Sequence, residues 1–138
     1  MKGSSCVMLL AAATFGASAS ASAQASPPSN TVSRTGLLKR VLPSGDFREV
    51  EAIVIELPPG AAAPKHRHDV AVVAYVIEGT VENQFDGGAV QIHTPGDSWW
   101  ESPGTVHDTA RNASTTATAR LLIVYIGEVG KPQTVRVQ

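Results

Sequence analysis

One small all-β domain, a barrel, jelly roll or sandwich, is the fold class that the sequence predicts, and three observations predict it. Short runs of β-branched and other apolar residues recur from residue 34 onward. Pro- and Gly-rich turns separate them at regular spacing. No stretch of the mature chain carries the 3.6-residue periodicity of a long amphipathic helix, because Pro and Gly recur too often.

The strands are expected in this order. Leu37 to Leu42 is a first short run, closed by the turn Pro43-Ser44-Gly45-Asp46. Glu49 to Leu57 carries Val50, Ile53, Val54, Ile55 and Leu57, and Pro58-Pro59-Gly60 stops it. Val70 to Ile77 is apolar almost throughout, which predicts burial on both faces. Thr80 to Asp86 alternates, with Val81 and Phe85 on one face and Glu82 and Gln84 on the other. Gly87-Gly88 then reads as a hairpin turn and Ala89 to His93 as the returning strand. Ser98 to Glu101, Val106 to Ala110 and Arg120 to Ile126 follow, and Thr134 to Val137 is expected to close an edge. No internal duplication stands out, so one domain is expected over residues 36–138.

Residues 1–25 read as a signal peptide. Lys2 supplies the positive start, Cys6 to Ala17 a short apolar stretch, and Ala21-Ser22-Ala23 or Ala23-Gln24-Ala25 a small-x-small cleavage site. The stretch is too short and too rich in Ala and Ser to span a bilayer. Residues 26–35 are expected to form a flexible lead-in, and the protein is expected in the periplasm or outside the cell. The mature chain then has about 113 residues and a net charge of about −2. With Cys6 in the leader it has no cysteine, so stability must come from packing, a metal or a second subunit rather than disulfides. Mild acidity with singly scattered cations argues against a nucleic-acid partner.

The chemistry concentrates in the histidines, of which there are four. His66 and His68 stand two apart, so on a strand they share a face about 6.6 Å apart along the chain and can converge on one ion. A third ligand must come from another strand, and His107, just past a Pro-Gly turn, is the candidate. Imidazole suits iron, zinc, copper and nickel, and manganese less strongly. A solvated His-x-His pair is the alternative, but an apolar strand leaves the pair at once, a poor setting for unbonded polar groups. His93 alternates with Val90 and Ile92 and is expected to face solvent.

These residues resemble the two motifs of the cupin family. The first is Gly, five residues, His-x-His, three or four residues, Glu, six residues, Gly. Gly60, His66-Arg67-His68 and Gly79 reproduce it, while Val72 stands where the Glu is usual. The second is Gly, five residues, Pro-x-Gly, two residues, His, three residues, Asn. Gly96, Gly104 and His107 match it, with Ser102 at the first Pro position and Asn112 one residue late. The resemblance spans residues 36–126 or so. It implies a cupin-type double-stranded β-helix, a divalent transition metal, a small-molecule substrate and, since cupins are frequently dimeric, a homodimer.

Val72 cannot coordinate an ion. The resemblance then implies a three-histidine site like those of cupin dioxygenases that cleave thiols or diketones, with Fe(II) the expected ion and Zn, Mn, Ni or Cu the others. Gln84 is the candidate fourth ligand, if its face of the strand looks inward. Glu101 is a candidate general base, or an acceptor that fixes an imidazole, or a surface carboxylate. Tyr75 is a candidate proton donor, or simply core. Trp100 or its neighbour Trp99 is expected to line the cavity, and Arg111 to hold a substrate carboxylate if it is not a surface cation. A non-catalytic ligand- or metal-binding module and a metal-dependent isomerase or lyase stand beside the dioxygenase expectation.

Overall fold

The computed structural model describes residues 30–43 and 48–138. The expected leader, most of the lead-in and the Ser44-Gly45-Asp46 part of the first turn lie outside the described residues. Eleven strands are formed among the described residues, and no helix long and apolar enough to cross a membrane. They are β1 (Ser33–Val41), β2 (Arg48–Leu57), β3 (Ala62–Ala63), β4 (His66–Arg67), β5 (Ala71–Glu78), β6 (Val81–Phe85), β7 (Gln91–His93), β8 (Ser98–Glu101), β9 (Val106–Asn112), β10 (Ala119–Glu128) and β11 (Val135–Arg136). β1 begins inside the stretch read as lead-in.

Two antiparallel sheets face each other. One runs β1-β2-β10-β5-β8 and the other β11-β4-β9-β6-β7, with β3 paired to β9. The crossovers between the sheets make this an all-β barrel, the double-stranded β-helix expected. The core between the sheets is built from Ile53, Leu57, Val70, Val72, Ala74, Val76, Val81, Leu121, Ile123 and Tyr125. Burying a Val, Leu or Ile is worth roughly 1.5–3 kcal/mol, and eight of these ten are such residues.

The apolar strands are buried on one face only, which corrects the expectation for Val70 to Ile77. Val72, Ala74 and Val76 point into the barrel, whereas Tyr75 is 42% and Ile77 39% exposed. β10 behaves alike, with Leu121, Ile123 and Tyr125 inside and Leu122, Val124 and Ile126 on the outer face, half-buried. One outer row therefore runs Leu38, Ala52, Val124, Val73 and Trp100 across all five strands of the first sheet. The hairpin after β6 turns on Asp86 and Gly87, both with positive φ, one residue earlier than the Gly87-Gly88 expected.

Two features fix the frame around the cavity. A Cβ at Gly79, which has φ 81°, would lie 2.7 Å from Ala119 Cα, so only glycine lets β5 turn into β6 against β10. Asn112, buried at the end of β9, donates from Nδ2 to the carbonyls of Leu57, Pro58 and Ala117 at 2.7–3.1 Å and accepts from Ser114 N–H at 2.9 Å. One side chain thus ties β9 to the ends of β2 and of the loop into β10.

Candidate metal centre

His66 and His68 reach the cavity from β4 and the residue just beyond it, and His107 comes from the paired strand β9, directly opposite His66. β9 needs an irregularity to present His107. Asn112 and Ala110 face inward, so strict alternation would send Asp108 in and His107 out. A register shift between Gln84 and Phe85 gives β9 one extra residue and reverses the parity. Asp108 turns outward, accepting from Gly87 N–H and pairing with Lys65, while His107 stacks on Phe85 with centroids 4.4 Å apart.

All three rings are buried, and the ligand atoms they offer lie within 4.8 Å of one another. Each ring is also anchored through its other nitrogen. His66 Nδ1 donates to the Pro64 carbonyl at 2.8 Å, His68 Nδ1 to the Gln133 carbonyl at 2.5 Å, and His107 Nε2 to Asn83 Oδ1 at 3.0 Å. That leaves one free lone pair on each ring, which is how metal-binding histidines are oriented. Burial lowers the pKa of His66 and His68, and burial together with the two neighbouring rings pushes His107 down to about 3. The imidazoles are therefore neutral at pH 7, the form that binds an ion.

Glu101 enters from β8, 3% exposed. Its Oε1 accepts from Trp99 Nε1 at 2.8 Å. Its Oε2 lies 3.4 Å from His68 Nε2 and 3.7 Å from His107 Nδ1. With neutral imidazoles these contacts are not ion pairs, and burial raises the Glu101 carboxyl to about 7. Both Glu101 Oε2 and His107 Nδ1 lack a hydrogen-bond partner among the described residues. Orphaned buried atoms that converge on one point are costly unless something sits between them, so the donor set fits a divalent cation.

The cluster forms part of the wall of a cavity of about 200 Å³. Ile55, Leu57, Val81, Trp99, Leu121 and Ile123 supply its apolar lining, and Arg34, Thr134 and Arg136 its other polar groups. Tyr125 points in beside His68, with ring centroids 5.7 Å apart, hydrogen-bonded by Arg34 and Thr134. Burial raises its pKa, so the phenol stays protonated in the neutral range.

Several sequence expectations change here. Gln84 is not in the cavity, because it shares the outer face of β6 with Glu82; its amide is held by Gly88 O and Thr109. Asn83, one residue earlier, is the β6 residue at the rings. Tyr75 is on the outer surface and Tyr125 is the inner tyrosine. Trp100 is outside, 57% exposed, while Trp99 lines the cavity. Arg111 is exposed and paired with Glu82, so Arg34 and Arg136 are the cations at the cavity. His93 does not face solvent: it is half-buried and stacks on Trp99 at 4.4 Å, while Val90 and Ile92 are exposed. It remains outside the ligand set.

Fold and site together define a single cupin barrel with a three-histidine metal-binding centre. The chain belongs to the Cupin_2 family, whose cupin domain matches residues 53–125. Among solved structures, a cupin 2 domain-containing protein from Halorhodospira halophila matches with TM-score 0.63 at 20% identity, over 78% of this chain and 70% of that one. The DMSP lyase DddQ from Ruegeria pomeroyi DSS-3 matches with TM-score 0.62 at 20% identity, over 77% of this chain and 51% of that one. The polyketide cyclase RemF from Streptomyces resistomycificus matches with TM-score 0.60 at 24% identity, over 78% and 71%. This chain spans about half the length of the DMSP lyases it matches. At these identities the likeness is one of fold. No protein of curated function matches the sequence.

Proposed function

We propose that this cupin is a metal-dependent enzyme that moves a proton on a small organic anion, as a lyase or isomerase. The observation that carries the reading is that the histidine cluster opens onto a cavity with room for a substrate. Structural metal sites are closed, whereas catalytic ones keep a position free. A divalent cation at His66, His68 and His107 would supply Lewis acidity toward a substrate oxygen and would acidify a water whose conjugate base could take the substrate's proton.

The chain's own residues supply the rest. Arg34, already bonded to Tyr125, offers its charge to a carboxylate or similar anionic end. Tyr125 holds a proton that it can donate to the bound molecule. Ile55, Leu121 and Ile123 keep water from the reacting groups. The dioxygenase expectation rested on the resemblance of a three-histidine centre to cupin dioxygenases, and a buried carboxyl 3.4 Å from His68 makes the centre less like that one. A lyase among the fold neighbours supports the acid–base reading.

The test is to load the protein with Mn(II), Fe(II) or Zn(II) and offer a panel of small carboxylates, DMSP included, following products by NMR and oxygen with an electrode. Product without O₂ uptake is expected, and Tyr125→Phe should lower kcat by about 10²–10⁴-fold with metal content unchanged. O₂ consumed in proportion to product would return the protein to the Fe(II) dioxygenase class. Saturable binding with no product would make it a non-catalytic binding module.

A further inference from the structure

The first cupin motif lacks its acid in this chain, since Val72 stands at that position, fully buried in β5. Directly across the β5–β8 ladder, the residue paired with Val72 is Glu101. Cross-strand partners share a face of the sheet, so a carboxylate at 101 projects into the same part of the barrel as one at 72 would. From the geometry we infer that Glu101 is the fourth metal ligand, the missing carboxylate being delivered from the neighbouring strand.

Three observations support this independently of any reaction. First, neighbouring ligand atoms on one ion with bonds of about 2.0–2.2 Å stand about 3.0–3.4 Å apart, and three histidines with one carboxylate on a five- or six-coordinate ion still leave a position free. Glu101 Oε2 is 3.4 Å from His68 Nε2 and 3.7 Å from His107 Nδ1. Second, Oε2 and Nδ1 are both buried without a partner, while Oε1 and His107 Nε2 are each hydrogen-bonded elsewhere. The free atom of each group is the one turned toward the other. Third, the Trp99 indole holds Oε1, which fixes the carboxyl plane and leaves Oε2 aimed at the rings. Val81, Val72 and Trp99 complete the surroundings.

The inference rests on the metal-centre part of the proposed function and not on the reaction class. With Glu101 on the ion, it is removed from the role of free general base, and Tyr125 is left as the proton-bearing side chain of the cavity. A carboxylate also lowers the net charge of the centre from that of three neutral rings, which weakens its pull on strongly anionic chelating substrates.

Co(II) binding to the full protein tests it, read by visible absorption and by competition with a chelator. Wild type should bind Co(II) with a defined visible absorption spectrum. Glu101→Gln keeps the side-chain volume and the acceptor for Trp99, so the fold should survive, as far-UV circular dichroism would verify. It should bind Co(II) at least about 100-fold more weakly, with an altered spectrum. The exchange Glu101→Ala with Val72→Glu should restore affinity to within about tenfold of wild type, the acid having moved back one strand. Equal affinity and an unchanged spectrum in folded Glu101→Gln would overturn the assignment. A wild type that binds Co(II) in this way but turns over no substrate would sink the enzyme reading and leave the ligand set standing.

Discussion

Replacing Asn112 with aspartate changes one atom of the side chain and should be among the most damaging isosteric substitutions in the domain. The amide nitrogen serves the carbonyls of Leu57, Pro58 and Ala117, its two protons shared among three acceptors. A carboxylate offers no proton to any of them and sets its own charge against three carbonyl oxygens at a site only 2% exposed. Each buried polar group left unsatisfied costs about 1–3 kcal/mol, so Asn112→Asp should lose about 4 kcal/mol or more at pH 7.5. Asn112→Ala, which buries no charge, should lose about 3 kcal/mol. For a domain of this size 4 kcal/mol is a fall in Tm on the order of 16 °C or more. The aspartate also makes the loss pH-dependent. Its folded-state pKa is raised above the unfolded value by burial, so the deficit should shrink as pH falls and the carboxyl regains a proton to donate. Urea midpoints of the metal-free proteins at pH 7.5 and 5 measure all of this. An Asn112→Asp variant within 1 kcal/mol of wild type at pH 7.5 would refute the assigned role.

Removing the metal with a chelator should lower Tm, and restoring an ion to 100 times its Kd should return about 2.7 kcal/mol, as differential scanning calorimetry would measure. In the metal-free protein, stability should be greatest on the alkaline side of pH 7. Below that value the unfolded chain takes up protons that the depressed rings of His66, His68 and His107 refuse, so stability falls. Between pH 7 and 4.5 the raised Glu101 carboxyl binds a proton in the folded state first and opposes that fall, but one carboxyl faces three rings. Urea midpoints that kept rising down to pH 5 would contradict this balance. Trp100→Glu places a charge in the outer apolar row that also holds Leu38, Val73 and Val124; if two copies pair there, the variant should sediment as a monomer where wild type is a dimer. Identical sedimentation of the two proteins at micromolar concentration would remove that face as the interface.

Most of the strands along the chain and the meeting of the three histidines were legible because both rest on local rules: turn residues punctuate the strands, and residues two apart share a face. The cavity lining was harder to read, for two physical reasons. Val70 to Ile77 and Arg120 to Ile126 are apolar on both faces, so hydrophobicity alone does not say that Tyr125 looks in and Tyr75 out. A signal did exist at Arg120, whose charge marks the even-numbered face of β10 as outer. Alternation on β8 groups Glu101 with Trp99 instead of Trp100, but there the charge rule fails, since Glu101 is buried and would have been put outside. On β6, taking Val81 as inward should have selected Asn83 over Gln84. The irregularity that turns His107 inward has no such marker, since a bulge is a property of two paired strands and neither strand states it alone.

The ring of His66 is aimed by the peptide oxygen of Pro64 and that of His68 chiefly by the peptide oxygen of Gln133, with Thr134 Oγ1 farther off at 3.5 Å. Their tautomers are accordingly insensitive to which amino acids occupy positions 64 and 133, provided the chain follows the same path. The path past Gln133 is that of the last strand, whose Val135 and Arg136 pair with Arg67 and His66. Cutting the chain before that strand would leave every ligand residue in place and still free His68 to swivel, so cation retention depends on a tail that contributes no donor atom of its own.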